Sequence, residues 1–186
     1  MRARTTTDFT SGSIIRHLLT FSAPLFFGNL LQALYNTVDS MWVGRFLGPT
    51  ALGAVSLSFP IVFTLISLAI GLSMATTVLV SQYYGAGEPA AVRRTVYTSI
   101  AFLGALGAAT SIVGVLIHRP LLKLIKTPAD VMPMAAGYLW IYSAGLTFTF
   151  LYNVLGAIYR GLGDSRSPVV ALAYATVLNI VLDPLL

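Results

Sequence analysis

Residues 54–80 contain no charged side chain, and four further stretches of the chain are almost as apolar. About 20 mostly apolar residues suffice for a helix to cross the hydrocarbon of a bilayer. A soluble domain breaks such runs at helical or strand periods and carries about a quarter charged residues. Here 9% are charged and mean hydropathy is +0.83. The chain therefore reads as an all-α integral membrane protein with about five transmembrane helices.

Other chemistry is narrow. There is no cysteine, hence no disulfide framework, thiolate metal site or redox motif. The two histidines, His17 and His118, are far apart, and no nucleophile–base pair or metal set suggests an enzyme. The net charge of +5 belongs to loops facing the cytoplasm and anionic lipid rather than to nucleic-acid binding. The apolar run from Ile14 is too long for a signal-peptide core and includes Asn29, Gln32 and Asn36, so it is the first span.

Residues 1–13 read as a cytoplasmic tail, with Ser11 or Ser13 as a helix cap. The expected spans are about 14–43, 54–80, 95–117, 134–158 and 168–186, forming a partial N-terminal transmembrane lobe over 14–186. Pro24 interrupts the first span and frees the Thr20 carbonyl, marking a hinge. Ser67, Gly71 and Ala75 in the second span, and Gly104, Gly107, Ala108, Ser111 and Gly114 in the third, are small-residue faces suited to close packing. Residues 118–133 form a connection whose leucines suggest an amphipathic segment at the interface.

With the N-terminus inside, the cytoplasmic side holds seven Lys and Arg and the outside four: Arg45, Arg119, Lys123 and Lys126. Trp42 and Trp140 then mark the outer ends of their spans. Two cytoplasmic loops resemble each other, Tyr84-Gly-Ala-Gly-Glu and Tyr159-Arg-Gly-Leu-Gly-Asp. Lacking a preceding strand and a phosphate-binding lysine, they are short helical hairpin connections rather than nucleotide loops.

The polar residues of the spans lie at helical spacing. Asn29, Gln32, Asn36 and Asp39 follow steps of three, four and three, with Tyr35 beside them. Tyr138, Tyr142, Thr149 and Asn153 share a stripe in the fourth span. Thr176, Asn179 and Asp183 share one in the fifth, where Pro184 frees the Ile180 carbonyl as a hinge or cation ligand. An ionisable group inside a span costs at least a few kcal/mol and generally faces a cavity or partner. Taken singly, Asp39 could be an interfacial acid paired with Arg45, Asp183 a boundary residue, the amides inter-helix glue and the tyrosines packing aromatics. One acid on each of two stripes, at compatible heights, favours a shared interior. Two carboxylates in one low-dielectric site repel each other, and proton uptake relieves the repulsion.

Four segments carry a family resemblance: Pro24-Leu-Phe-Phe-Gly-Asn-Leu-Leu-Gln-Ala-Leu-Tyr-Asn-Thr-Val-Asp-Ser-Met-Trp-Val-Gly-Arg, Ser81-Gln-Tyr-Tyr-Gly-Ala-Gly-Glu, Arg160-Gly-Leu-Gly-Asp-Ser-Arg-Ser-Pro and Leu178-Asn-Ile-Val-Leu-Asp-Pro. In this order and spacing they resemble the N-terminal lobe of a multidrug and toxic compound extrusion (MATE) transporter. The resemblance implies a multi-pass inner-membrane antiporter that exports drugs or organic cations against entering protons or sodium, with no organic cofactor. It implies a cation-coupling site at Asp39, Asp183, Asn179 and Asn153, and a substrate cavity at Gln32, Tyr35, Asn36, Tyr138 and Tyr142.

Where some relatives carry another amide a turn after Asn153, this chain has Gly156, leaving proton and sodium both open. The family has about twelve spans in two lobes; five are present here. The expectation is a fragment of a longer transporter, or a product that needs an oligomeric partner in place of the second lobe. Two alternatives are a flippase for lipid-linked oligosaccharides, whose cavity should be rich in Arg or Lys, and a non-transporting membrane subunit whose stripes are interfaces.

Overall fold

The computed structural model describes residues 13–182, all of its elements helical. Asp183 and Pro184 lie outside the described residues. Helix α1 runs Ile14–Trp42, α2 Gly48–Gly85, α3 Pro89–Leu124, α4 Met132–Gly161 and α5 Arg166–Leu182. The Ser13 carbonyl accepts the His17 N–H at 3.1 Å, which makes Ser13 the N-cap of α1. Pro24, Pro60 and Pro120 each sit inside a helix that continues past them.

Helices α1 and α2 are joined by a π-helical turn, Val43–Leu47, so that helical backbone extends over 72 residues. That run would measure about 108 Å, more than three hydrocarbon thicknesses. Within it Gly48, the first residue of α2, holds a φ of +82°, the left-handed conformation only glycine adopts without penalty, and Pro49 follows in the first turn.

Three other helix ends share one device, the Schellman motif. At the end of α2, Glu88 N–H donates to Tyr83 O and Gly87 N–H to Tyr84 O; at the end of α4, Asp164 N–H donates to Tyr159 O and Gly163 N–H to Arg160 O. Gly87 and Gly163 hold φ of +72° and +83°. The two similar loops seen in the sequence are thus a repeated C-cap, with an acid directly after each glycine. The end of α3 uses the same bonds, from Thr127 to Leu122 and Lys126 to Lys123, with Lys126 at φ +55° in place of glycine.

Burial does not sort by hydrophobicity as in a soluble fold: Leu103, Leu139, Leu146 and Phe150 are buried, but they share the interior with polar side chains, and many large apolar ones face outward. The interior holds small and hydroxyl side chains, including Ala69, Ser58, Ser73, Thr76, Ser111 and Ser143, while Phe148, Leu116 and Ile141 are exposed. With lipid outside, helices gain more from close backbone approach than from hiding leucines. The buried face of α2 carries Ser58, Val62, Ala69, Ser73, Thr76 and Val80. The Ser67–Gly71–Ala75 face expected to pack is exposed. On α3 the expected small face is buried at Gly107, Ser111 and Gly114.

The chain divides into two compact units. One contains the chain up to Trp42, Thr76–Val96 and the chain from Gly156 onward. In it α1 packs along α5, a Cβ at Gly28 would lie 3.0 Å from Val169, and Gly161 backs onto Val80. Thr77 Oγ1 ties α2 to α4 through the Ala157 carbonyl at 3.1 Å.

The other unit contains Val43–Ala75 and Tyr97–Leu155. Ala54, Val62, Leu122, Val131, Ala135 and Leu139 form its apolar core. Gly107 faces Phe150, Gly114 faces Ser143, and the Ser111 hydroxyl reaches the Ser143 carbonyl at 2.7 Å. The amphipathic segment expected over 118–133 is partly the end of α3 itself, with Leu122 buried in this core and Leu124 exposed.

Candidate coupling and substrate site

Helix α1 turns Phe21, Pro24, Leu25, Gly28, Leu31, Tyr35, Val38, Asp39 and Trp42 inward, all buried or half-buried, at a spacing of three and four. Asn29, Gln32 and Asn36 lie on the exposed side next to this face. The stripe read from the sequence is therefore divided, and Asp39 stands at its border, half-buried where Asn36 is open. Gln32 Nε2 donates to Asn36 Oδ1 at 3.4 Å, one turn apart. Thr37 and Ser40 return their hydroxyls to the carbonyls of Ala33 and Asn36 at 2.8 Å, so these groups are satisfied within the helix.

Helix α5 turns Val169, Thr176 and Asn179 inward, Thr176 being 4% exposed and Asn179 half-buried. Because α5 packs on α1, the unit brings Tyr35, Asp39, Thr176 and Asn179 onto two neighbouring helices. From the Gly28–Val169 contact, Asp39 lies eleven residues along α1 and Asn179 ten along α5. At 1.5 Å per residue both are about 15–17 Å from that contact.

The α4 candidates belong to the second unit. Tyr138 and Tyr142 pack against its apolar core, their ring centroids 6.1 Å apart and inclined by 34°. Asn153 Nδ2 donates to the Thr149 carbonyl at 2.9 Å on its own helix. Asp183 and Pro184, expected to complete the coupling site, fall outside the described residues. Among the described residues no three His, Asp or Glu side chains gather as a metal site.

Sequence reading passed over Asp164. It is 4% exposed and accepts N–H bonds from Arg166 and Ser167 at 3.0 Å, and its second oxygen takes the Ser167 hydroxyl. It is the N-cap that orients α5, and so positions Asn179. An acid after glycine and just before an apolar run is the readable signal for such a cap.

Comparison with known proteins places this arrangement. The MatE family model matches residues 24–185. The chain is 38% identical, over 96% of its length, to the probable multidrug resistance protein YpnP of Bacillus subtilis, of which it covers 40%. It is 27% identical, over 95% of its length, to the FAD transporter of Shewanella oneidensis, of which it covers 39%. Among solved structures, a MOP superfamily transporter from Pyrococcus furiosus superposes with a TM-score of 0.88 at 30% identity, covering 93% of this chain and 38% of that one. The chain thus spans about two fifths of the length of these relatives. The family match over most of the sequence, the polar helices it encompasses and the shared fold converge: this chain is an integral membrane protein of the MatE family.

Proposed function

We propose that this chain supplies five spans of the N-terminal lobe of a cation-coupled antiporter, which exports organic cations or drugs across the cell membrane from a cytoplasmic N-terminus. The observation that carries the reading is Asp39, a half-buried carboxylate on the α1 face that packs along α5. Spans that alternate in direction run α1 and α5 the same way through the membrane, so Asp39 and Asn179 share one depth. The charge balance supports a cationic cargo: α1 has no Lys or Arg between Arg16 and Arg45, α4 none before Arg160 and α5 none after Arg166.

In this mechanism Asp39, with Asp183, binds a proton or a sodium ion from outside. A neutralised carboxylate no longer holds a cationic substrate beside Tyr35, Asn36 and Gln32. The loss of charge also changes what the α1–α5 face gains from its polar partners, and Pro24, whose ring leaves the Thr20 carbonyl without a helical donor, allows α1 to bend. Two conformations that differ in their affinity for the ion are then interconverted by its binding. In this reading the second lobe closes the cavity.

The test is efflux from energised vesicles by the complete transporter. Asp39→Asn should abolish gradient-driven export of a fluorescent organic cation while the protein level and fold are unchanged, and Asp39→Glu should retain part of it. Full export by Asp39→Asn would refute the coupling role. Separate collapse of the pH and sodium gradients identifies the ion, and export of a flavin in preference to the cation would overturn the cargo assignment.

A further inference from the structure

A cavity of about 730 Å³ opens where the end of α3 meets the start of α4, within the second unit. Its rim carries His118, Arg119 and Lys123, and its floor Met132, Trp140 and Ile141. Arg119 and Lys123 are one turn apart on one face of α3, and both are exposed. Neither has a hydrogen-bond or ion-pair partner among the described residues. His118 donates Nδ1–H to the Val115 carbonyl at 2.6 Å, which fixes its ring at the rim. Two like charges at this spacing repel unless an anion lies between them.

The floor has a different character. Trp140 is half exposed and Ile141 is 67% exposed, and nothing lies within 4 Å of a Cβ at Gly137 between α4 and the rim. The site lies just past the uncharged stretch of residues 95–117; if that stretch crosses the bilayer, its end brings the site to where lipid headgroups meet the hydrocarbon. It thus combines two exposed cations with a half-exposed tryptophan and apolar side chains of α4 in one cavity. Three of the four basic residues on the side opposite the N-terminus, Arg119, Lys123 and Lys126, gather at this connection. That placement runs against the usual bias of positive charge toward the cytoplasm, and a bound anion accounts for it.

We propose that this cavity binds the phosphate of an anionic phospholipid, with Arg119 and Lys123 holding the headgroup and an acyl chain lying along Trp140 and Ile141. Arg119 presents the planar fork that matches phosphate oxygens, and Lys123 adds a point charge. The lipid would pin the α3–α4 connection at the membrane surface.

The test reconstitutes the purified full-length protein in nanodiscs of phosphatidylcholine with one fifth phosphatidylglycerol, then measures the lipid retained after release into detergent by native mass spectrometry. At about fivefold per cation, two cations predict enrichment of phosphatidylglycerol on the order of 25-fold. The Arg119→Gln/Lys123→Gln protein should fall to the bulk ratio, and the Arg119→Lys protein should keep most of the preference. Equal enrichment in the wild-type and double-variant proteins would overturn the proposal. Loss of the retained lipid on adding millimolar inorganic phosphate, with equal protection against heat by phosphate alone, would assign the site to a soluble anion instead. A readout independent of charge variants uses Trp42→Phe, which leaves Trp140 as the one tryptophan of residues 1–186, with any tryptophan beyond them also replaced by Phe. Brominated phosphatidylglycerol should quench it more strongly than brominated phosphatidylcholine, and equal quenching refutes the headgroup preference.

Discussion

Replacing Gly107 by alanine tests whether close helix approach, rather than burial of large side chains, holds α3 to α4. An added Cβ would stand 2.8 Å from Phe150 Cβ, 3.0 Å from its Cγ and 3.2 Å from the Thr147 Cα. Carbon atoms rest at about 3.5–4.0 Å, so α4 must retreat by about 0.5–1 Å. Rotation of the Phe150 ring gives no relief, because the clash is with Cβ and a backbone atom, and Phe150, Leu146 and Val154 are all fully buried. Overpacking of this kind costs about 1–3 kcal/mol. The retreat also stretches the Ser111–Ser143 bond one turn away, at up to about 1 kcal/mol. Alanine's helix propensity returns at most about 1 kcal/mol, and less in a bilayer, where the helix is enforced by the lack of water.

The expected net loss is about 1–3 kcal/mol. Gly104, one turn earlier on α3, is the internal comparison: there the nearest atom is the flexible Leu151 Cδ2 at 3.4 Å, and alanine should be neutral or slightly stabilising. Unfolding of the purified full-length protein in mixed micelles of increasing dodecyl sulfate, followed by circular dichroism, ranks the two. A Gly107→Ala midpoint equal to or above that of Gly104→Ala would refute the packing argument.

Further expectations concern the same joints. Gly161→Ala places a Cβ 2.8 Å from Val80 Cβ and 3.0 Å from the Thr77 carbonyl; it should lower the unfolding midpoint as Gly107→Ala does, and Val80→Ala should not rescue it in the double variant, because the Val80 Cβ and the Thr77 carbonyl remain. Asp164→Ala leaves two backbone donors and the Ser167 hydroxyl without their acceptor and should cost about 1–2 kcal/mol, with Asp164→Asn milder; faster amide exchange confined to the first turn of α5 is the signature, and unchanged exchange there would contradict the capping role. Ser111→Ala should destabilise by about 1 kcal/mol. Ser143→Ala should not, because that buried hydroxyl has no hydrogen-bond partner among the described residues, and the same micelle titration separates them.

Five apolar stretches, polar residues at helical spacing and turn glycines were legible without coordinates, because each rests on local chemistry. A span must satisfy its backbone within itself and present apolar side chains to lipid, so composition alone identifies it. The glycines of the two similar loops follow from a left-handed residue that ends a helix, which is equally local. Asp39 stood out for the same reason, as a carboxylate in a run that otherwise excludes charge.

What tertiary structure alone decided is which face of each helix packs. In water an apolar stripe marks the buried side; in lipid both sides are apolar and that signal vanishes. Ser67–Gly71–Ala75 on α2 and Gly107–Ser111–Gly114 on α3 read alike as small-residue faces, yet the first is exposed and the second buried. Small size permits close approach without requiring it, and a neighbour such as Phe150 or Ser143 supplies the requirement. The same holds on α1: sequence spacing put Gln32, Asn36 and Asp39 on one stripe, and in the structure Asp39 alone of the three is half-buried.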